Sequence, residues 1–108
     1  MINNVANVVS SSPTKTTFDT CTHGDKSLIA NSAAEIIPAN SERKYAAFLN
    51  NSTVDITLIL GETNKAALNK GIVLRPGGSY EINSNNLYVG VVSAISKFVC
   101  KLIFIEGV

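Results

Sequence analysis

The nearest thing to a reactive cluster in this chain is Cys21-Thr22-His23-Gly24-Asp25, which places a thiol, an imidazole and a carboxylate close together. A structural zinc site needs four ligands at characteristic spacings, and there is no second Cys/His pair to complete one. His23 is the only histidine, so any Ser-His-Asp or Cys-His arrangement must use it. Such a base has to sit within hydrogen-bond reach of the nucleophile and be oriented by a third group. His23 instead lies in a polar segment with no periodicity to hold it, and an exposed turn accounts for the same residues. The expectation is no catalytic, cofactor-binding or metal site, hence no enzyme and no cofactor.

The remaining chemistry-bearing residues are dispersed. Asp55, Glu62, Glu81 and Glu106 fall on separate strands and loops, without the pairing that general acid–base work requires. Gly77-Gly78 lacks the Lys-Ser/Thr and the helix of a phosphate loop and reads as a hairpin turn. Tyr45, Tyr80 and Tyr88 could line a sugar or peptide site, but tyrosines on half-buried strands more often serve core or interface. The nine cations form no stripe beyond Arg43-Lys44, and Glu42-Arg43-Lys44 reads as a solvated turn. Binding nucleic acid directly through phosphate neutralisation is therefore not expected.

These residues hang on a short chain. With 108 residues it should form one domain, and only 16% of them are charged, against about 25% in an average globular protein. So few charges suit a domain that hides part of its surface in an assembly. Cys21 and Cys100 are too few for a disulfide scaffold and are expected as free thiols. No secretory leader pattern opens the chain and no apolar run approaches the ~18 residues of a membrane helix, so synthesis in a cytoplasm, away from membranes, is expected.

Turn residues then divide the chain into strands. Residues 1–26 carry Ser, Thr and Asn with a thin set of apolar anchors and read as an extended N-terminal arm, leaving 27–108 as the folded domain. Ala33 to Ile37 is the first expected strand. In Arg43 to Asn50, period-two geometry puts Tyr45, Ala47 and Leu49 on one face and Ala46 and Phe48 on the other. Val54 to Leu60 sets Val54, Ile56, Leu58 and Leu60 opposite Asp55, Thr57 and Ile59. Gly61 to Lys70 reads as a surface loop with one helical turn. Pro76-Gly77-Gly78 should reverse the chain between Gly71–Leu74 and Tyr80–Ile82. Leu87 to Val92 and Phe98 to Ile105 follow, the latter with Cys100, Leu102 and Phe104 facing away from Lys101, Ile103 and Ile105. This rhythm predicts an all-β, antiparallel β-sandwich of jelly-roll-like form.

The segments Ile36 to Ser52 (IIPANSERKYAAFLNNS), Val54 to Leu60, Leu74 to Glu81 (LRPGGSYE) and Leu102 to Gly107 give an order of turns and strands that resembles a group of small bacteriophage virion proteins. The resemblance implies a capsid decoration (cement), head-fibre, neck or tail accessory protein, built as a β-sandwich that self-associates on a virion without catalysis. On this reading the chain is a cement protein that stabilises the head by binding across major capsid protein subunits. It would be a homo-oligomer, expected as a trimer, assembled in the host cytoplasm and carried on the capsid surface. Phe48, Tyr88, Ile103 and Ile105 are the expected subunit contacts, and Val5, Val8, Val9 and Phe18 the arm's capsid anchors. The alternative is a tail, neck or head-fibre module that binds a host surface or glycan.

Overall fold

Strand pairing in this protein is nested, as in a long antiparallel ribbon folded back on itself. The computed structural model describes residues 17–108, so Val5, Val8 and Val9 lie outside the described residues. The strands are β1 Cys21–Leu28, β2 Ala34–Ile37, β3 Tyr45–Leu49, β4 Ile56–Leu60, β5 Ile72–Leu74, β6 Ser79–Ile82, β7 Val92–Ile95 and β8 Cys100–Gly107. β4 pairs with β5, β3 with β6, β2 with β7 and β1 with β8, all antiparallel. Successive pairs alternate between two sheets, and the β3–β8 and β4–β7 ladders join them. The first sheet therefore runs β1-β8-β3-β6 and the second β2-β7-β4-β5. This is the winding of a jelly-roll β-sandwich.

Period-two side-chain alternation fills the space between the sheets. Leu28, Ala46, Phe48, Ile82 and Leu102 come from the first sheet, and Ile36, Ile37, Ile56, Leu58, Leu74, Val92 and Ala94 from the second, all almost without exposure. Ile36 and Ile37 are both buried because the β2 register shifts between Glu35 and Ile37. Phe48, expected at a subunit contact, is 0% exposed in this core. A side chain already surrounded by its own domain has no surface left for a partner, so that assignment is corrected.

Four further expectations are revised. The Pro76 turn is present, with Gly77 at φ +82° and Gly78 N–H bonded to Arg75 O at 2.7 Å, the type II pattern. It does not close a hairpin, because β5 and β6 belong to opposite sheets. Asn50 holds the crossing. Its carbonyl accepts from Gly77 N–H at 2.7 Å, its N–H donates to Gly78 O at 2.9 Å, and its buried amide donates to Leu74 O and Val54 O at 2.7 Å. Residues 87–91 are not a strand, and β7 begins only at Val92. Their carbonyls are taken instead by Arg43, from Nη1 to Tyr88 O and Gly90 O at 2.9 Å, and by Asn40 N–H to Val89 O at 2.7 Å.

The third revision concerns the arm. Residues 21–26 belong to β1, which pairs with β8 along its whole length. Only Leu28 of β1 is buried, so the strand carries no alternating apolar signal. Arg43, read as part of a solvated turn, is 1% exposed. It bridges Glu106 at 2.7 Å and also donates to Pro38 O at 2.6 Å.

Candidate interaction face

Antiparallel register places cross-strand partners on the same face, so the outer surface of the first sheet can be read off its ladders. β8 contributes Lys101, Ile103, Ile105 and Gly107; β3 contributes Leu49, Ala47 and Tyr45. β1 adds Cys21, His23, Asp25 and Ser27 along one margin, and β6 adds Ser79 and Glu81 along the other. The centre is an apolar strip of Ile103, Ile105, Ala47 and Leu49, none of them fully buried, with Leu49 at 38% exposure. Polar side chains rim it on both sides.

The second sheet handles its outer face differently. Thr57 and Ile59 point away from the core yet are 2% and 7% exposed. The connection from Gly61 to Gly71, with its short 3₁₀ turn Thr63–Lys65, lies over them. Asn69 N–H donates to Thr57 Oγ1 at 3.0 Å, and Ser93 Oγ donates to Gly61 O at 2.8 Å. A Cβ on Gly71 would stand 2.6 Å from Ile59 Cδ1, which shows how closely this segment lies on the sheet. The loop expected as a surface excursion is therefore a lid on β4, and no comparable segment among the described residues covers Ile103 and Ile105.

One end of the outer strip is closed by the chain itself. The Phe18 ring stacks on Tyr45, centroids 5.2 Å apart and planes 13° apart, directly over Gly107. Phe18, expected as a capsid anchor, is thus engaged with its own sheet while 37% exposed. Tyr45 Oη donates to Glu81 Oε2 at 2.6 Å, and Asn83 Nδ2 donates to Glu81 Oε1 at 3.0 Å. The bond to Glu81, aided by desolvation and the carboxylate's charge, raises the Tyr45 pKa above 10.0. The same two donors, Tyr45 first, lower that of Glu81 below 4.5.

The other expected site residues are scattered. Ile103 and Ile105 sit side by side on the outer strip, but Tyr88 lies in the β6–β7 connection at the end of the sandwich. There it packs against the core and donates from Oη to Val91 O at 2.9 Å. Cys21, His23 and Asp25 occupy alternate positions of one strand, about 7 Å apart, and do not converge. Among the described residues no group of three His, Cys, Asp or Glu side chains could hold a metal ion. Missed from the sequence were Ile29 and Val99, 70% and 76% exposed, which follow the last β1–β8 pair, Leu28 with Cys100.

No known relative sharpens this picture. Neither a protein-family model nor a curated protein nor a solved structure matches the chain.

Proposed function

We propose that this protein is a non-enzymatic bacteriophage virion protein, a capsid decoration (cement) protein that self-associates and binds across major capsid protein subunits on the head surface. One observation carries the reading: among the described residues, the Gly61–Gly71 segment covers the outer face of the second sheet and no segment covers the apolar strip of the first. Burying Ile103, Ile105, Ala47 and Leu49 between copies would stabilise association by about 25 cal/mol per Å² of apolar area. Repetition over a capsid lattice would then hold weak individual contacts together. The turn motifs Ile36–Ser52 and Leu74–Glu81 and the jelly-roll winding, an architecture shared by viral capsid domains, support the same reading. On it the protein assembles in the host cytoplasm, as a homotrimer, and resides on the virion.

Light scattering of the full chain, of a chain lacking residues 1–16, and of Ile103→Asp tests the self-association. Co-sedimentation with capsids of the encoding phage tests the location. A trimer that binds capsids saturably and falls apart in Ile103→Asp is expected. A monomer that ignores capsids would overturn the proposal.

A host-surface or glycan-binding module is the second reading, favoured by an open depression of about 550 Å³ bordered by Leu60, Glu62, Lys65 and Tyr88. It combines apolar, charged and aromatic lining at the loop end of the sandwich. Saturable retention on immobilised host-surface glycans, lost in Glu62→Ala, would favour this reading.

A further inference from the structure

The outer edge of β1 differs from every other sheet edge in the described residues. β2 has four residues, a register shift and Pro38 behind it; β5 has three residues and runs into Arg75-Pro76; β6 has four. Short, bulged or proline-flanked edges resist further pairing. β1 has eight residues, no proline, no register shift and, apart from Gly24 and Leu28, exposed side chains throughout.

Its hydrogen-bonding polarity follows from its first contact with β8. Thr20 and Val108 exchange both backbone bonds, at 3.4 and 2.9 Å, and the β1–β8 register continues from that pair without a break. Bonded and non-bonded pairs alternate in an antiparallel ladder. Thr22, Gly24, Lys26 and Leu28 therefore turn their N–H and C=O groups toward β8. Those of Cys21, His23, Asp25 and Ser27 point away from it.

We propose that this edge is a self-pairing seam, in which β1 of a second copy adds antiparallel about a two-fold axis at Gly24 and joins the two first sheets. Side-chain charge selects the register. An axis at Gly24 sets His23 opposite the partner's Asp25, and Cys21 opposite the partner's Ser27, all four with outward-pointing backbone groups. An axis at Asp25 would put two carboxylates face to face, and an axis at His23 would shorten the overlap. Lys26 alone works against edge pairing. With the axis at Gly24 it meets the partner's Thr22 rather than another lysine, and as an exposed residue it keeps its ammonium in water.

This inference does not depend on the virion reading, and it predicts a two-chain unit. Sedimentation equilibrium of the full chain up to about 1 mM should show pairing of whatever unit the first-sheet strip builds: a dimer where that strip does not associate, a hexamer where it holds the proposed homotrimer. In Ser27→Cys, diamide oxidation should link Cys21 of one copy to the introduced thiol of the other, because a bonded antiparallel pair places Cα atoms about 5.5 Å apart, within disulfide reach. Within one chain the two positions are about 20 Å apart along β1 and cannot join. His23→Asp should weaken the dimer about tenfold by creating two like-charged pairs, and adding Asp25→Lys should restore it.

A monomer throughout overturns both the seam and the self-association of the proposed function. A trimer in which Ser27→Cys gives no such inter-chain disulfide overturns the seam and leaves the proposed function standing. A dimer whose oxidised peptides lack that disulfide also overturns the seam.

Discussion

Arg43 Nε donates to Glu106 Oε2 at 2.7 Å across the end of the sandwich, joining the β2–β3 connection to the last strand. The guanidinium is fully shielded, and its other donors hold Pro38, Tyr88 and Gly90 carbonyls. Removing one partner of such a pair leaves buried groups unsatisfied, at a cost of about 3–5 kcal/mol. Arg43→Met should lower the unfolding free energy by that order in urea titrations. Arg43→Met with Glu106→Leu should cost less than the two single changes added together. Strict additivity would show that the ion pair carries no coupling.

Gly107 makes room for Phe18. A Cβ there would lie 2.5 Å from Phe18 Cδ2, so Gly107→Ala must expel the ring from its stack on Tyr45. The stack itself is worth about 0.5–1.5 kcal/mol. Gly107→Ala should lose roughly that much stability, and the loss should vanish when Phe18→Ala is already present. An equal loss in both backgrounds, by thermal denaturation, would mean that the glycine serves the backbone and not the ring.

The Tyr45–Glu81 bond needs a protonated phenol and an ionised carboxylate, and the shifts favour those two forms. Tyr45, raised above 10.0, contributes stability below that pH that is lost as pH climbs through its folded value. Glu81, lowered below 4.5, contributes stability above that pH that is lost as pH falls through its folded value. The stability difference between wild type and Tyr45→Phe should therefore be flat between 4.5 and 10.0 and shrink outside that window. Phenolate absorbance should also show Tyr45 ionising above 10.0, and earlier in Glu81→Gln. Superimposable titrations would remove the carboxylate as the cause.

How far the sequence revealed this molecule depended on whether a local signal matched a tertiary role. Strand faces were legible where apolar alternation met a core on one side, as with Ile56 and Leu58. β1 was invisible because an edge strand with one buried residue has no period to detect. The Pro76 turn was legible as a turn and illegible as a sheet crossing, since Asn50, a residue distant in sequence, decides where β5 and β6 go. Arg43 misled because its partners, Glu106 and the Tyr88 and Gly90 carbonyls, lie far along the chain. Of the candidate face, Ile103 and Ile105 could be read from alternation. Phe48 was misplaced because a strand apolar on both faces does not say which face is the core.

The lid over the second sheet covers Thr57 and Ile59, and at Gly71 it lies tight against β4. A Cβ at this position would lie 2.5 Å from Leu58 O and 2.6 Å from Ile59 Cδ1, and backbone cannot yield as a flexible side chain can. Gly71→Val should therefore lift the Gly61–Gly71 segment, break the Asn69–Thr57 bond and cost about 1–3 kcal/mol. It should also expose Ile59 beside Thr57 and give the second sheet an open outer face like that of the first. The variant should then bind an apolar dye more strongly and self-associate through a surface insensitive to Ile103→Asp. A folded Gly71→Val protein with unchanged dye binding and an association still abolished by Ile103→Asp would show that the covering segment does not restrict association to the first sheet.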